Sequence, residues 1–355
     1  MKAVILVGGE GTRLRPLTCN EVKAMVPVLN RPFLEHLFFY LKSHKVEDII
    51  LALGYLPERI EGYFGDGSKL GVKLTYVVEE SPLGTAGAVK NVEKYLEDSF
   101  FVFNGDIFTD IDLEAMLSFH KQKKAKATIA LTPVDDPSLY GVVETDAQGR
   151  VLRFIEKPPR EEAPTNLINA GIYILEPEVL GDVPPNTPFM FEHHLFPRLL
   201  GEGVLVYGYP SQAYWIDMGT PDKYLQLHWD LLGGKSLFFN KFRGKEDRVG
   251  EQCSVHPTAR IDGSVRIGRG CIIEAQAQIL APTVIGPGCR IQEGAIIKGS
   301  VLWHNVRVGK RVRLIDCLVG NDSLIGDDSY ISEGSVLGDR VEVVAGSQLP
   351  PNSVI

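Results

Sequence analysis

A six-residue repeat of aliphatic side chains constrains the fold of this chain more than any other feature. Apart from two slips of one residue, before Leu302 and before Val319, the spacing holds over fifteen positions: Ile261, Ile267, Ile273, Ile279, Ile285, Ile291, Ile297, Leu302, Val308, Leu314, Val319, Ile325, Ile331, Leu337 and Val343. Val255 extends the series backwards. A period of six fits neither an α-helix nor an isolated two-sided strand. It predicts a solenoid of flat β faces, each with one aliphatic side chain inside, and three faces per coil predict a left-handed parallel β-helix over residues 251–355.

The first two-thirds of the chain alternate short apolar runs with longer amphipathic segments. Strands are predicted at Lys2–Val7, Asp48–Leu53, Leu74–Val78, Ser99–Phe103 and Ala127–Thr132, and helices at Phe33–Lys45, Thr85–Leu96 and Leu113–Lys124. Nearly continuous apolar strands that alternate with helices are typical of a parallel sheet covered on both faces. We therefore expect an α/β domain with a Rossmann-like, mixed, mainly parallel sheet over residues 1–232. A charged, glycine-rich linker is expected at residues 233–250.

Composition excludes several classes of function. The 355 residues include 37 Lys and Arg against 45 Asp and Glu, a net charge of −8, which argues against nucleic acids and membrane surfaces as partners. The sequence contains no apolar run of about 18 residues, so no membrane span is expected. The N-terminal residues do not resemble a signal peptide. The five scattered cysteines (Cys19, Cys253, Cys271, Cys289 and Cys317) favour small buried thiols in a reducing cytoplasm over disulfides or a zinc site.

A glycine-rich segment, Gly8-Gly9-Glu10-Gly11-Thr12-Arg13-Leu14-Arg15, follows the first strand directly. Glycines at the end of a strand allow backbone N–H groups to approach a phosphate chain, and arginines supply cationic forks. Arg13 is the stronger candidate for binding a phosphate chain, because Arg15 also suits a surface ion pair. Open α/β sheets bind ligands at the carboxyl ends of their strands. The spacing matches neither a dinucleotide-binding GxGxxG turn nor a Walker P-loop.

Taken with later motifs, this segment resembles the sugar-phosphate nucleotidyltransferases, also called sugar-nucleotide pyrophosphorylases. The family signature GGxGTRLxPLT stands at Gly8–Thr18 and its lysine at Lys23, although Val22 and Ala24 replace the prolines that more often flank it. Six further motifs follow in family order: Leu83-Gly84-Thr85-Ala86-Gly87, Asn104-Gly105-Asp106, Tyr140-Gly141-Val142-Val143, Glu156-Lys157-Pro158, Asn169-Ala170-Gly171 and Trp215-Ile216-Asp217-Met218-Gly219-Thr220-Pro221. Hexapeptide tails are also common in this family, so the resemblance covers nearly the whole chain.

The resemblance implies a reaction in which a sugar 1-phosphate attacks the α-phosphorus of a nucleoside triphosphate and pyrophosphate leaves. Two anions must meet, so catalysis depends on charge neutralisation and positioning. Arg13 would bind the β and γ phosphates, Lys23 would neutralise the α-phosphate, and Lys157 would hold the phosphate of the sugar. Asp106 and Asp217 would hold Mg²⁺, which prefers hard oxygen ligands. Arg13, Lys23 and Asp106 are the expected catalytic residues.

The remaining candidates fall into two binding sets. The nucleotide-binding candidates are Leu6, Gly8, Gly9, Gly11, Thr12, Arg13, Glu79, Gly84, Thr85 and Asp106. The sugar-phosphate-binding candidates are Gly141, Glu156, Lys157, Asn169 and Gly171. Trp215 is expected in the core rather than under a sugar ring. His193 and His194 lack partners at zinc spacing, so local packing or a surface position is expected for them.

Glu79 carries the prediction of the nucleotide. Relatives that use uridine or thymidine triphosphate usually have glutamine at this place before the Leu83 motif. A carboxylate only accepts hydrogen bonds, and guanine offers two donors, N1–H and the 2-amino group, on one edge. GTP is therefore favoured. Glu79–Gly87 and Ile168–Leu175 look most like the members that use mannose 1-phosphate. The alternative is glucose 1-phosphate with dTTP or UTP.

Two readings from other classes stay open. One is a regulatory subunit that binds a sugar nucleotide without making it, although the glycine segment, Lys23 and both aspartates are present. The other is an added acetyltransferase activity in the β-helix, for which His256 and His304 are the candidate bases. Otherwise the β-helix is expected to serve oligomerisation or packing on the catalytic domain, because its sheet faces and ends are open, and a homo-oligomer is expected.

Overall fold

The computed structural model describes residues 1–242, without the side chain of Phe242, and residues 248–355. Residues 243–247 of the predicted linker lie outside the described residues. The chain divides into two compact units, of which the first comprises residues 1–9 and 36–215 and the second residues 10–35 and 216–355. This division groups the chain differently from the predicted domains, whose boundaries at residues 232 and 250 stay a prediction. The described part of the linker contains a short helix, Leu237–Phe242.

The strands before the repeat region are β1 Lys2–Val7, β2 Pro27–Val28, β3 Arg31–Pro32, β4 Asp48–Leu53, β5 Lys73–Val78, β6 Phe100–Asn104, β7 Ile107–Thr109, β8 Ala127–Pro133, β9 Gly141–Thr145, β10 Val151–Glu156, β11 Leu167–Leu175, β12 Val206–Pro210 and β13 Trp215–Asp217. The α-helices are α1 Phe33–Ser43, α2 Pro57–Phe64, α3 Gly84–Asn91, α4 Leu113–Lys123, α5 Phe196–Gly201, α6 Pro221–Leu232 and α7 Leu237–Phe242. Short 3₁₀ helices lie at Thr12–Leu14, Lys23–Met25, Ser68–Leu70, Glu93–Tyr95, Pro137–Leu139, Arg160–Glu162 and Pro177–Asp182, and a π-helical turn at Phe191–Leu195.

The first unit is built on a mixed sheet with nine strands among the described residues, in the order β10-β9-β11-β6-β1-β4-β5, with β8 beside β11 and β12 beside β8. Strands β6, β1, β4 and β5 run parallel, and β11 runs antiparallel to β6. Strands β1, β4 and β6 are apolar and almost wholly buried, as parallel strands are when both faces are covered. The predicted α/β fold is confirmed.

The repeat region forms strands β14 Ser254–Val255, β15 Arg260–Asp262, β16 Val265–Ile267, β17 Ile272–Ile273, β18 Gln278–Leu280, β19 Thr283–Ile285, β20 Arg290–Ile291, β21 Ile296–Lys298, β22 Val301–Leu302, β23 Arg307–Val308, β24 Arg313–Ile315, β25 Leu318–Val319, β26 Leu324–Ile325, β27 Tyr330–Ile331, β28 Val336–Leu337, β29 Glu342–Val343 and β30 Gln348–Leu349. They make three parallel sheets of six, six and five strands in the described chain. Ile285 pairs with Ile267 on one side and Leu302 on the other, so one coil takes 18 or 17 residues. The two slips of the repeat fall at one corner, between β21 and β22 and between β24 and β25.

The inward side chains of the repeat form the core of this β-helix. Every residue of the series from Ile267 to Val343 is buried, and Ile261 packs at its edge. The predicted left-handed parallel β-helix is confirmed over this range. Val255 does not belong to the core, since its side chain is 37% exposed. The reason is that β14 is the first strand of its sheet and has a neighbour on one side only.

The five cysteines are free thiols, as predicted. Cys271, Cys289 and Cys317 are buried in the β-helix, Cys253 is half-buried and Cys19 is exposed. The expectation of a buried thiol is therefore wrong for Cys19, which follows the exposed glycine-rich segment in sequence. None of the helices in the described ranges is long and apolar enough to cross a membrane.

Candidate active site

In the first unit, the carboxyl ends of β1 and β6 lie side by side because the two strands are parallel neighbours. Leu6 pairs with Asn104, and Gly105 N–H donates a hydrogen bond to Leu6 O at 3.0 Å. A side chain at Gly105 would come within 2.6 Å of that oxygen, so the close approach requires glycine. Asp106, the next residue, is thereby held at the edge where Gly8 begins the glycine-rich segment. This is the edge at which open α/β sheets bind ligands.

Glu79 reaches the same edge from β5. Its N–H donates to Leu53 O at 2.8 Å, and a methyl group at Gly8 would lie 3.7 Å from its Oε1, so the carboxylate faces the glycine segment. Its Oε2 accepts a hydrogen bond from Leu83 N–H at 3.0 Å. Burial raises the pKa of Glu79, and the Leu83 N–H opposes part of that rise. Both carboxylate oxygens therefore lie beside Gly8, at 3.7 and 3.8 Å from a methyl group built on it, and the second oxygen takes no part in the bond from Leu83 N–H.

Helix α3 begins with the predicted base loop. Gly84 has a positive φ of 70°, and a side chain on it would meet Phe189 O at 2.9 Å. The Thr85 hydroxyl accepts a hydrogen bond from Phe191 N–H at 2.9 Å and donates one to Glu192 Oε2 at 3.2 Å. This hydroxyl is committed to the protein itself, so a contact of Thr85 with a nucleotide would come from its backbone.

The predicted sugar-phosphate side begins where β9 pairs with β10. Gly141 lies opposite Glu156, and a side chain at Gly141 would overlap Glu156 Oε2 at 2.8 Å. Lys157 has a φ of 47°, which is rare for lysine, and its N–H donates to Tyr140 O at 3.0 Å. Its ammonium lies 3.6 Å from Glu156 Oε1, and 63% of the side chain is exposed. An anionic ligand therefore has access to the Lys157 ammonium.

A β-bulge in β11 shapes the rest of this side. The register with β8 shifts between Asn169 and Tyr173, and Gly171 within the bulge has a φ of 71°. Asn169 Oδ1 accepts from Gly171 N–H at 3.0 Å, and its Nδ2 donates to Tyr173 Oη at 2.8 Å. A side chain at Gly171 would overlap Asn104 Nδ2 at 2.7 Å. The bulge therefore packs against the residue that precedes the Gly105-Asp106 turn.

Two residues of the first unit gain a role that the sequence analysis did not assign. Asn104 Oδ1 is buried and accepts no hydrogen bond from the residues that the structure describes. Trp215, expected in the core, is only half-buried, and its indole N–H donates to Ala170 O in the bulge at 2.9 Å. Its ring meets Tyr140 edge-on at 5.6 Å. In the sequence, the only indication that Asn104 matters is its place as the first residue of the Asn104-Gly105-Asp106 motif.

In the second unit, Gly11 lets the signature segment pack against Lys23. Its φ is 65°, and a side chain on it would lie 2.8 Å from Lys23 Cβ. Thr18 Oγ1 donates to Gly11 O at 2.8 Å, which closes the turn. Arg15 forms an exposed ion pair with Glu10 at 3.0 Å, which agrees with its assignment as a weaker phosphate-binding candidate than Arg13.

Asp217 is the centre of a cationic cluster in the second unit. Lys23 Nζ lies 4.0 Å from its Oδ1, and Lys223 Nζ lies 3.5 Å from its Oδ2. A methyl group at Gly219 would lie 2.7 Å from Asp217 Oδ1 and 3.0 Å from Arg13 Nη2, so Arg13 and Asp217 flank this glycine. Three cations around one carboxylate give a local excess of positive charge in an acidic chain, as polyphosphate binding requires. Lys223 was missed because it follows the last recognised motif.

Asp217 also meets the requirements of a magnesium ligand. Its Oδ1 is buried and has no hydrogen-bond partner among the described residues. A buried carboxylate oxygen without a partner is costly, and hard oxygen donors are what Mg²⁺ prefers. The residues therefore fit the ion at Asp217. That Asp106 and Asp217 share one ion stays a prediction.

The predicted site residues thus fall into two sets. The first unit holds Leu6, Gly8, Gly9, Glu79, Gly84, Thr85, Asp106, Gly141, Glu156, Lys157, Asn169 and Gly171, and the second holds Gly11, Thr12, Arg13, Lys23 and Asp217. His194 belongs to neither set, and its side chain makes local contacts: its Nδ1 accepts from Met190 N–H at 2.9 Å and its ring stacks on Phe189 at 4.8 Å. This local packing is what the sequence favoured for His194, and His193 is exposed.

Comparison with known proteins gives a family for each part of the chain. Residues 2–233 match the nucleotidyl transferase family, and residues 247–349 match the LbH domain of EIF2B subunit epsilon. The whole chain is 40% identical to mannose-1-phosphate guanyltransferase of Candida albicans, of which it covers 97%. The chain is also 36% identical to UTP–glucose-1-phosphate uridylyltransferase of Synechocystis, and this match covers 90% of the chain and 87% of that relative.

A solved structure shows a similar likeness. The crystal structure of HddC from Yersinia pseudotuberculosis, complexed with GMP-PN, is 32% identical, with a TM-score of 0.56. The match covers 64% of this chain and 97% of that one. Because the family match spans more than half of the chain and a relative is similar over its full length, the chain belongs to the nucleotidyl transferase family.

Proposed function

We propose that this chain transfers the guanylyl group of GTP to mannose 1-phosphate and so produces GDP-mannose and pyrophosphate. The position of Glu79 is the observation that carries the proposal, since its carboxylate faces Gly8 and keeps one oxygen outside its bond to Leu83 N–H. A carboxylate matches the two donors on the guanine edge, whereas an amide suits the donor and carbonyl of a pyrimidine. The name of the Candida albicans relative and the GMP-PN bound to HddC support the same choice.

The reaction follows from the charges in the second unit. Arg13 and the backbone of the glycine segment bind the β and γ phosphates. Lys23 neutralises the α-phosphate as a phosphate oxygen of the sugar attacks the α-phosphorus in line. The bond from that phosphorus to the bridging oxygen breaks, and pyrophosphate leaves with both bonding electrons. Mg²⁺, with Asp106 and Asp217 as its proposed ligands, supplies further neutralisation of the triphosphate.

The sugar phosphate is bound by the first unit in this proposal. The exposed Lys157 ammonium holds its phosphate, while Glu156 and Asn169 bind hydroxyls. Gly141 and Gly171 lack side chains where the sugar ring approaches the backbone. The proposal includes a cytoplasmic location and assembly into a homo-oligomer, both of which rest on the sequence.

A matrix of substrates tests the proposal. Pyrophosphate release is measured with Mg²⁺, each of GTP, UTP, dTTP and ATP, and either mannose 1-phosphate or glucose 1-phosphate. The highest kcat/KM is expected for GTP with mannose 1-phosphate. Faster turnover of UTP or dTTP with glucose 1-phosphate would favour the alternative that the Synechocystis relative represents. No release from any pair would contradict nucleotidyl transfer by this chain.

A further inference from the structure

Two consecutive hydrogen bonds connect the β-helix to the segment from Lys23 to Asn30, called the Lys23 segment below, inside the second unit. Trp303 Nε1–H donates to Tyr224 Oη at 3.0 Å, and Tyr224 O–H donates to Pro27 O at 2.5 Å. Both aromatic side chains are fully buried, and burial raises the pKa of Tyr224 far above its usual value. The Tyr224 hydroxyl is therefore neutral, accepts from the β-helix and donates to the loop.

Two members of this hydrogen-bond chain, Tyr224 and Pro27, stand on segments that carry a lysine of the cationic cluster around Asp217. Tyr224 follows Lys223 in α6, and Lys223 Nζ lies 3.5 Å from Asp217 Oδ2. Pro27 lies four residues after Lys23 in the same segment, and Lys23 Nζ lies 4.0 Å from Asp217 Oδ1. One hydroxyl thus fixes two backbone segments, each of which carries a lysine beside the same carboxylate.

A second contact holds the same segment to the β-helix. Strands β2 and β3 form a hairpin whose two turn residues, Leu29 and Asn30, have positive φ values of 47° and 71°. Asn30 Nδ2 donates to Ile285 O at 2.9 Å. Ile285 is one of the buried core positions of the repeat. The segment from Lys23 to Asn30 is therefore connected to the β-helix twice, directly through Asn30 and through Tyr224 of α6 at Pro27.

We propose that Trp303 is a positioning residue for nucleotidyl transfer. Through Tyr224 it holds Lys23 and Lys223 in place around Asp217, so the β-helix contributes to the chemical step through residues outside it. A displacement of about 1 Å in such groups costs up to about a hundredfold in rate. The inference rests on the role proposed for Lys23.

Three substitutions separate positioning from packing. Trp303→Phe removes the indole donor, and Tyr224→Phe removes the shared hydroxyl. Trp229→Phe is the matched control, because Trp229 Nε1–H also joins α6 to the β-helix, at 2.8 Å from Gly299 O, without reaching the Lys23 segment. Trp303→Phe and Tyr224→Phe are each expected to lower kcat about tenfold and to leave the KM for the sugar phosphate unchanged. Trp229→Phe is expected to lower Tm and retain kcat.

Double variants decide whether Trp303 acts through the proposed route. Trp303→Phe with Tyr224→Phe is expected to lose no more kcat than either substitution alone, and Trp303→Phe is expected to cost less kcat in the Lys23→Gln background than in the wild type. Fully additive losses in kcat would overturn the inference. All variants are assayed with the substrate pair that the wild type turns over best, after their folding is checked by circular dichroism and Tm.

The outcomes also separate the inference from the proposed function. A wild type that turns over no pair would contradict the proposed function. An active wild type with equal kcat in the Trp303→Phe and Trp229→Phe variants would contradict the positioning role alone. Should Trp303→Phe fail to fold, Tyr224→Phe against Trp229→Phe decides the same question.

Discussion

At the scale of single residues, the role proposed for Glu79 would couple the choice of nucleotide to pH. Burial raises its pKa, and one hydrogen bond from Leu83 N–H offsets part of the rise. The ionised form is the one that accepts both donors of guanine. Because the folded-state pKa lies above the unfolded one, the contribution of Glu79 to folding stability decreases as pH rises through the folded-state pKa. Use of GTP should increase over the same interval, so activity and this contribution to stability change in opposite directions.

Replacing Glu79 by Gln is expected to remove that pH dependence. In the wild type, kcat/KM for GTP should rise with pH through a pKa above the ordinary glutamate value. In Glu79→Gln this rise should disappear, and kcat/KM for GTP should fall about 10- to 100-fold, since a bidentate contact to a base contributes about 1–3 kcal/mol. Steady-state kinetics across pH measure both effects. Glu80→Gln, at the exposed neighbouring position, is the control, and an unchanged nucleotide preference in Glu79→Gln would contradict the assignment.

The residues that the sequence predicted and those it missed differ in a physical way. Asp217 and Lys23 stand in motifs, and the structure places them 4.0 Å apart. Lys223 and Asn104 are recognised only by their positions in the folded structure. Lys223 reaches Asp217 from the first turn of α6, and Asn104, at the end of β6, packs its amide nitrogen against Gly171 in the bulge of β11. Neither arrangement follows from the order of residues along the chain.

At the scale of elements, the bulge of β11 joins the proposed sugar-phosphate side to the edge where β1 and β6 end. Gly171 combines a left-handed φ of 71° with a contact to Asn104 that leaves no room for a side chain. Asn169 is fixed by Gly171 N–H and by the Tyr173 hydroxyl. The backbone of the bulge therefore positions both the Asn169 amide, which is proposed to bind the sugar, and Asn104, the residue before Gly105.

Gly171→Ala tests this coupling against a matched glycine. Gly203 has a φ of 73° but no atom within 4 Å of a built side chain, so Gly203→Ala carries only the left-handed strain of about 1–2 kcal/mol. Gly171→Ala adds the overlap with Asn104 and is expected to cost more and to raise the KM for the sugar phosphate. Urea unfolding and steady-state kinetics measure the two effects. Equal destabilisation and unchanged kinetics would show that the contact with Asn104 is unimportant.

Element boundaries show which local patterns determine structure. Strand β4 spans Asp48–Leu53 as predicted. A continuous apolar run flanked by polar residues defines both ends of a strand in a sheet that is covered on both faces. The helix predicted at Thr85–Leu96 instead ends at Asn91 and is followed by a 3₁₀ turn at Glu93–Tyr95. Apolar spacing does not separate an α-helix from a terminal 3₁₀ turn. The bulge of β11 was not predictable either, because it depends on register with β8.

At the scale of the whole molecule, the compact units do not follow the order of the sequence. Residues 10–35, which carry Arg13 and Lys23, belong to the unit that contains the β-helix. The repeat period predicted the β-helix, and the motifs predicted the catalytic region. Contacts between distant segments, such as Asn30 with Ile285, are absent from any local pattern. The sequence therefore supported a boundary after residue 232 and gave no sign of this grouping.

This grouping predicts which parts of the chain open together in native-state hydrogen exchange. In a solenoid each coil is stabilised by its neighbours, so a cavity in one coil weakens those around it. Ile291 is fully buried in the β-helix, and Ile129 is fully buried in the core of the first unit. Either Ile→Ala substitution is expected to cost about 2–5 kcal/mol in its own unit.

Ile291→Ala should lower the opening free energy of β-helix amides together with Met25 and Phe33, whose N–H groups bond to Val22 O and Val26 O. The amides of β1 and β6 should keep their protection, since they belong to the other core. Ile129→Ala should give the reverse pattern. Exchange at low denaturant, followed residue by residue, measures both. If Met25 and Phe33 lost protection with β1 and β6 instead, the Lys23 segment would unfold with the sheet, and the β-helix would not be its support.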